Sequence, residues 1–409
     1  MRLRLAYLCT TFPTASETFL QREVRALRGQ PVDFTIYSLW GGEAEWEGLP
    51  VERFRKARLW SVPFWLVYWM WRRPRAMLAA SEALTRQPAP TLLNALENLL
   101  GLGFALVSAR DLERAGQRPH FCHAVWASGP AAAAWLIERL IGVPYSVGAH
   151  AFDVFQHGGD WLLVEKLRRA RLVHTTTAAA QARLIERGAE PERIALIRRG
   201  LDEIPPLGPR REPGETLRLL AIGRLVRKKG FNYLLLILRH LRAQGVKFEC
   251  RLVGGGPMAL ELQARAVEYG LSDQFHLLGP QPYDAVAALQ REWADCFLFT
   301  GLIAPDGDRD GLPNVIPEAM AAGVPVVTAP GSGAMEAIRT GDTGWVVPLA
   351  DLAGWRDAIV SATRFTDLAA GVRQRAYAWV TENYSARRNA ERLIEAVRQA
   401  IVGAKLDLE

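Results

Sequence analysis

Two cations five residues apart, at the end of an apolar run, are the first candidates for chemistry. Leu219–Lys229 reads LLAIGRLVRKK and is followed by Gly230. A strand ending at Gly223 would send Arg224 and Lys229 out of the strand-to-helix turn. There the helix-end amides and both side chains act on the same charge, which suits a diphosphate. Two solvated surface cations fit the same letters equally well. Val253–Pro257, VGGGP, closes another apolar run. Gly255 and Gly256 let backbone approach a ligand closely or take a positive φ, although this is not the G-x-G-x-x-G fingerprint. The sharpest segment is Asp306–Val327, DGDRDGLPNVIPEAMAAGVPVV. Asp310 falls in a polar loop, and Glu318, eight residues on, falls one turn into a helix expected to start near Pro313. The free amides of the stretch Gly311, Leu312, Pro313, Asn314 and Val315 would then point into a cleft. A carboxylate on that first turn can accept two hydrogen bonds from a vicinal diol such as a ribose; its plainer role is to balance the helix dipole. Asp306 and Asp308 form a D-x-D pair that could hold a divalent metal. With Arg224 and Lys229 at hand as countercharge, the pair reads instead as a solvated acidic loop, and no metal or other cofactor is expected.

The N-terminal half holds softer signals. Ser146–Phe155, SVGAHAFDVF, places His150 and Asp153 just after a strand. Histidine exchanges protons near neutrality, but a lone one after a strand is as readily core as site. Asp153, with His123 upstream, is a candidate for the acceptor or phosphate side, and it serves equally well as a cap for the following segment. Thr14 and Glu17 have the spacing of a capping box, which leaves Ser16 and Thr18 to meet an acceptor or a phosphate.

These residues need elements to position them, and the apolar periodicity supplies them. Strand-like runs (Arg2–Cys9, Val32–Leu39, His120–Val125, Tyr145–Ala149, Leu172–Thr176, Ile194–Ile197) alternate with helical faces such as Leu20, Val24 and Leu27. A Pro- and Gly-rich stretch, Glu203–Glu215, interrupts the pattern. It then restarts with runs at Leu217–Ile222, Phe248–Val253, Phe275–Leu278, Cys296–Thr300, Val324–Thr328 and Trp345–Val347. Such alternation means an α/β fold with parallel sheets and crossover helices. The reading is a Rossmann-like domain over 1–203, a linker over 204–216 and a second Rossmann-like domain over 217–375, facing one another across a cleft. In open α/β sheets, ligands sit outside the carboxyl ends of the strands, where every residue singled out above falls.

Composition agrees. The 409 residues, 49% apolar and 23% charged, describe a globular chain of two or three domains, not a disordered one, a coiled-coil rod or a disulfide miniprotein. The net charge of +7 is scattered, with no basic–aromatic strand resembling an RNA platform, so no nucleic acid is expected. Cys9, Cys122, Cys250 and Cys296 lie far apart, as buried free thiols in a reducing cytoplasm would. Met1 leads straight into a strand, so no signal peptide is expected. Leu59–Trp71 contains Pro63 and is shorter than the roughly 20 residues of a membrane span. It does place Trp60, Trp65, Trp69 and Trp71, with Phe64 and Tyr68, directly before Arg72, Arg73 and Arg75. That pattern fits an anionic membrane surface as well as it fits packing on its own domain or on another protein.

Taken together, GRLVRKKG, VGGGP, the Asp310/Glu318 pair within DGLPNVIPEAMAAGVPVV and the later GSGAMEAI around Glu336 resemble the retaining nucleotide-sugar glycosyltransferases of family four, which have the GT-B fold. The opening FPTASETFLQREVRAL resembles the branch that builds bacterial exopolysaccharides such as colanic acid. The resemblance implies that Arg224 and Lys229 hold the donor pyrophosphate, that Asp310 contacts the transferred sugar and that Glu318 contacts the ribose. The family usually has Glu where this chain has Asp310. It also implies that His150 lines the donor sugar, that His123 in HAVWA carries over from a strand-end motif, and that Ile197–Asp202 (IRRGLD) enters the linker. Within that segment Arg198 and Arg199 read as surface arginines, or as residues that meet an anionic acceptor. The last helix, from about 376 to 409, is expected to pack back on the N-terminal domain. The implied reaction moves a sugar from a nucleoside-diphosphate donor to a glycan or lipid-linked acceptor, in the cytoplasm or on the inner face of its membrane. A synthase releasing a soluble disaccharide would share every donor motif, and a non-catalytic nucleotide-sugar-binding module is the remaining alternative.

Overall fold

A computed structural model of the chain describes residues 2–14, 17–114, 118–209, 212–364 and 366–406, the last three of these without their side chains. It divides into two compact units, one of Met1–Asp202 with Ala386–Glu409 and one of Glu203–Ser385. The chain returns to the first unit at Ala386, later than the expected 376: helix Asp367–Asn383 belongs wholly to the second unit.

The first unit is built on eight strands: β1 (Leu3–Cys9), β2 (Val32–Ser38), β3 (Glu45–Trp46), β4 (Leu49–Arg53), β5 (Phe121–Ala124), β6 (Tyr145–Gly148), β7 (Leu172–Thr175) and β8 (Ile194–Leu196). Their order is β3-β4-β2-β1-β5-β6-β7-β8, parallel throughout except for the short β3–β4 hairpin, which the expectation of a purely parallel sheet did not include. The chain builds outward from β1 on one side and then resumes beside it at β5, so the switch point lies between these two strands. Both faces of the sheet are covered, and β1 shows why. Leu3, Leu5, Tyr7 and Cys9 pack on one side; Ala6 and Leu8 join the core on the other. A strand buried on both faces reads as a continuous apolar run, not as an alternating one. On the first face lie helix Thr18–Arg28 and helix Ala386–Leu406, joined by Leu20, Val24 and Leu27 against Ala390, Leu393, Ile394 and Val397. The opposite face carries helices Val62–Arg72, Pro74–Arg86, Leu92–Glu113 and Gly129–Ile141.

Helix Leu92–Glu113 has the length and apolar composition of a membrane span, unlike the shorter segment before it. Just over half of its apolar window (56%) is buried inside the unit, which makes it a core helix. It approaches helix Gly129–Ile141 backbone to backbone: a Cβ on Gly101 would fall 2.0 Å from the Gly129 carbonyl oxygen.

The second unit has six parallel strands: β9 (Leu217–Ile222), β10 (Phe248–Val253), β11 (Phe275–Gly279), β12 (Cys296–Phe299), β13 (Val326–Thr328) and β14 (Trp345–Val346). The order β11-β10-β9-β12-β13-β14 puts the switch point between β9 and β12. All four cysteines are buried free thiols on central strands.

Candidate functional site

In the second unit the expected donor residues gather at the β9/β12 switch point. β9 ends in Gly223, after which Arg224 is exposed and Arg227–Lys229 forms a single 3-10 turn. Gly230 must be glycine: its φ is 67°, and a Cβ there would sit 1.9 Å from the Thr300 carbonyl oxygen at the end of β12. That close approach aims Lys229 across the strand ends. Its Nζ lies 2.7 Å from Oδ2 of Asp310 and 5.2 Å from the centre of the Phe299 ring. The two residues expected to meet the two ends of a donor are therefore paired with each other. Lys228 makes the parallel contact to Asp308 at 3.0 Å. This corrects the reading of the D-x-D pair as a solvated loop, because Asp308 is ion-paired and only 20% exposed at its side chain. Among the described residues no group of three His, Cys, Asp or Glu side chains is gathered as metal ligands would be.

Of the two roles open to the triple glycine, the positive φ is met at Gly254 (144°) and Gly256 (154°). A Cβ on Gly254 would lie 1.9 Å from the Gly223 carbonyl oxygen, and one on Gly256 2.7 Å from that of Leu225. On Gly255 it would lie 2.9 Å from Pro280. Gly254 and Gly256 thus admit protein backbone and brace the turn that carries Arg224; the Leu225 amide donates to the Gly255 carbonyl at 2.9 Å. The helix expected near Pro313 spans Val315–Ala321, with Asn314 before it and Pro317 in its first turn, where a missing N–H costs nothing. The Asn314 side chain accepts a hydrogen bond from the Tyr384 hydroxyl. Leu312 and Val315 are half-buried, Pro313 is buried, and Glu318 is half-buried on the first turn. Gly311 is packed against Gly333, whose amide donates to the Asp310 carbonyl at 3.0 Å.

In the first unit the strand register assembles a buried polar cluster. Tyr7 on β1 lies beside His123 on β5, and His123 beside Ser146 on β6. His123 Nδ1 and Ser146 Oγ are 2.7 Å apart. His174 on β7 stacks near both His123 and His150, with ring centres 5.9 and 5.1 Å away. Its Nε2 donates to the Ile197 carbonyl at 2.9 Å. The Tyr7 hydroxyl donates to Glu23 at 2.6 Å, and Arg199 pairs with the same carboxylate at 2.7 Å. Arg199 is thus no surface arginine: its side chain is 9% exposed and covers the Phe19 ring at 4.5 Å. Tyr7, Glu23 and His174 were not anticipated as members of the site. One signal was available, because Glu23 interrupts the inward stripe of Leu20, Val24 and Leu27.

His150 is 4% exposed, and its ring bonds to the Val125 carbonyl while Nδ1 has no partner. Nδ1 of the neighbouring His174 is likewise buried without a partner. Asp153 is corrected from acceptor residue to brace: at 1% exposure it accepts backbone N–H groups of Ala127, His150 and Ala151, each at 3.0 Å. The Ala127 carbonyl in turn accepts from the buried Lys166 ammonium, which also bonds Asn98 at 2.7 Å and pairs with Asp160. This network ties the β5 and β6 ends together and so sets the height of His150. His123 is likewise buried (1%), within the fold and not at its surface. Thr18 is half-buried as the first residue of its helix, and Ser16 lies outside the described residues. Thr14 does not cap the helix; Glu17 occupies that position, and the Thr14 hydroxyl donates to the Glu17 carboxylate at 2.8 Å.

Burial sets the protonation of this cluster. Desolvation drives the His150 pKa well below its ordinary 6.5 and that of His123 to about 3, and lowers that of His174; all three rings are neutral. Burial would raise Glu23, but the Arg199 guanidinium and the hydrogen bond from Tyr7 outweigh it and hold the carboxyl below its usual range. The histidine pKa values are lower in the fold than in the unfolded chain, so below pH 6.5 the unfolded chain binds protons that the fold refuses. Stability should therefore fall as pH drops, by about 1.4 kcal/mol per pH unit for each ring. A melting temperature lower at pH 5.5 than at 7.5, with a shallower decline in His174→Gln, is the expected result. An unchanged melting temperature would contradict the neutral cluster. Glu23 does not enter this window, because its contribution is lost only below its unfolded value of about 4.5.

Two Rossmann-like units with candidate ligand residues at both switch points define a class, the GT-B glycosyltransferases. In the structure of Anabaena Alr3699/HepE in complex with UDP and glucose, the same fold recurs with a TM-score of 0.68 at 18% identity, over 97% of this chain and 99% of that one. Residues 14–200 match the glycosyl transferase 4-like domain and residues 209–379 the glycosyl transferases group 1 family, and the chain belongs to this glycosyltransferase family. It is 36% identical over 183 residues to the putative colanic acid biosynthesis glycosyltransferase WcaL of Salmonella typhimurium, covering 44% of this chain and 45% of that protein. With the amylovoran biosynthesis glycosyltransferase AmsK of Erwinia amylovora it shares 36% over 172 residues, 42% of each. Each match thus spans less than half the length of these curated relatives.

Proposed function

We propose that the chain is a retaining glycosyltransferase that carries a sugar from a nucleoside diphosphate to a hydroxyl of a glycan or lipid-linked acceptor. Its setting is bacterial surface polysaccharide synthesis, on the cytoplasmic side of the membrane. The observation that carries the reading is the Lys229–Asp310 pair at the β9/β12 switch point, with Arg224 exposed beside it and Glu318 on the next helix. Cation and carboxylate held there match the two ends of a sugar diphosphate. The naming of WcaL and AmsK for exopolysaccharide synthesis, and of HepE for its complex with UDP and glucose, supports the substrate class.

In the proposed reaction the bond between the anomeric carbon and the diphosphate oxygen breaks, and a bond to the acceptor oxygen forms on the same face. The acceptor proton passes to the departing phosphate. Arg224 and Lys229 stabilise the charge that grows on that phosphate, with no metal required. In the second unit Glu318 holds the ribose and Asp310 the sugar; in the first unit His150 is proposed as a sugar ligand and Thr18 as an acceptor ligand. A thermal-shift screen of nucleotide sugars in the presence of chelator tests this reading: a donor and its nucleoside diphosphate should both stabilise the protein, and turnover should persist. Turnover lost in chelator and restored by magnesium or manganese would return the role to Asp306 and Asp308.

A further inference from the structure

Eleven of the twenty-one large apolar side chains exposed among the described residues fall between Trp60 and Leu99, a tenth of the chain. Nine of them come from helices Val62–Arg72 and Leu92–Glu113, with Trp60 in the turn before the first and Leu78 on helix Pro74–Arg86. Helix Val62–Arg72 is anchored on the C-terminal half of Leu92–Glu113, where the Trp69 indole donates to the Leu106 carbonyl at 2.9 Å. Trp69 is fully buried, and Trp65 and Tyr68 pack beside the core, so these three rings leave the surface to others. Trp60 and Trp71 are 89% and 81% exposed, with Phe64 and Val67 between them. At Gly103 the long helix is covered by Leu59, 3.1 Å from where a Cβ would stand, and by Val62. Leu99, Leu96 and Leu92 continue the same helical row, and there they are uncovered, Leu92 at 77%. The row therefore runs out from under Leu59 beside the exposed Trp60 and extends the apolar band.

Charge identifies what this band meets. From Arg53 to Ser81 the sequence holds seven cations and no carboxylate, equal to the net charge of the whole chain. The cations stand at both ends of the aromatic helix, and Asp111 and Glu113 offset only Arg58 and Arg72. A second copy of the chain would bring the same positive charge face to face. We propose that helix Val62–Arg72 and the first half of helix Leu92–Glu113 together dock on an anionic lipid bilayer, with Trp60 and Trp71 at headgroup depth and the Leu92–Leu99 row entering beside them. The surface is independent of the transfer chemistry proposed above.

Co-sedimentation of the full chain with vesicles tests it, comparing phosphatidylglycerol/phosphatidylcholine mixtures with pure phosphatidylcholine. Binding should favour the anionic vesicles at least tenfold and weaken at high salt. The pair Trp60→Ser/Trp71→Ser should lose tenfold or more, and Leu92→Ser/Leu96→Ser threefold or more, with circular dichroism unchanged. Absence of binding to anionic vesicles overturns the proposal, as does a leucine pair that binds like the parent. A dimer in light scattering that the same substitutions dissolve overturns it in favour of self-association. Nucleoside diphosphate affinity should be the same in all variants, so a failure here is separable from a failure of the donor site.

Discussion

His150→Ala should lower turnover on the order of a hundredfold or more while leaving nucleoside diphosphate affinity nearly unchanged. The imidazole is buried and neutral, its ring is tied to the Val125 carbonyl, and its Nδ1 lone pair has no partner. A neutral acceptor of this kind cannot serve as a reservoir of positive charge, but it can receive a hydrogen bond from a sugar hydroxyl and fix the ring for displacement. Such an interaction, made as the sugar reacts, lowers kcat and kcat/KM together. His150→Asn, whose amide oxygen stands near the Nδ1 position, should recover part of the loss, which a purely structural role would not predict. Calorimetry and turnover on the folded variants decide the matter. Full turnover in His150→Ala would remove the first unit from the proposed sugar site.

The second large effect concerns the cations. Arg224→Ala and Lys229→Ala should each weaken nucleoside diphosphate about tenfold to a hundredfold, since a hydrogen bond to a charged group contributes roughly 1.5–3 kcal/mol. Asp310 adds a change of sign. It holds Lys229 at 2.7 Å, so a phosphate must compete for that ammonium. Asp310→Asn should therefore strengthen free nucleoside diphosphate binding about two- to fivefold, the worth of a partly exposed ion pair, while turnover falls for want of the sugar contact. Glu318→Gln should do the reverse, raising donor KM and weakening free nucleoside diphosphate. Unchanged affinity in both cation variants would dismiss the diphosphate assignment. Weaker binding in Asp310→Asn would show that the Lys229–Asp310 pair organises the site and does not compete with its ligand.

Much of this arrangement was legible in the order of residues, because the signals involved are local. Strand runs, Pro and Gly punctuation and a carboxylate eight residues beyond another depend on neighbours along the chain, and they located β9, β12 and the donor loop to within a few residues. Pro313 misled by two positions: Pro317, equally compatible with a first helical turn, lies inside the helix that forms. The glycines of VGGGP signalled a positive φ and a close approach, but a requirement for close approach does not name the neighbour, which here includes the backbone of Gly223 and Leu225.

The succession of elements, the switch-point loops and the residue types that could meet a diphosphate follow from the order of residues alone. Partnership between residues far apart in the chain does not, and it emerges only on folding. Glu23 and Arg199 are 176 positions apart, and although the helical stripe turns Glu23 inward, nothing local names Arg199 as its partner. Asp310 and Lys229, His150 and His174, and the leucine row beside Trp60 have the same character. The physical reason is that burial and pairing depend on which strands become neighbours. A charge, a ring or a leucine acquires its protonation, its partner or its exposure only when the sheet order is set.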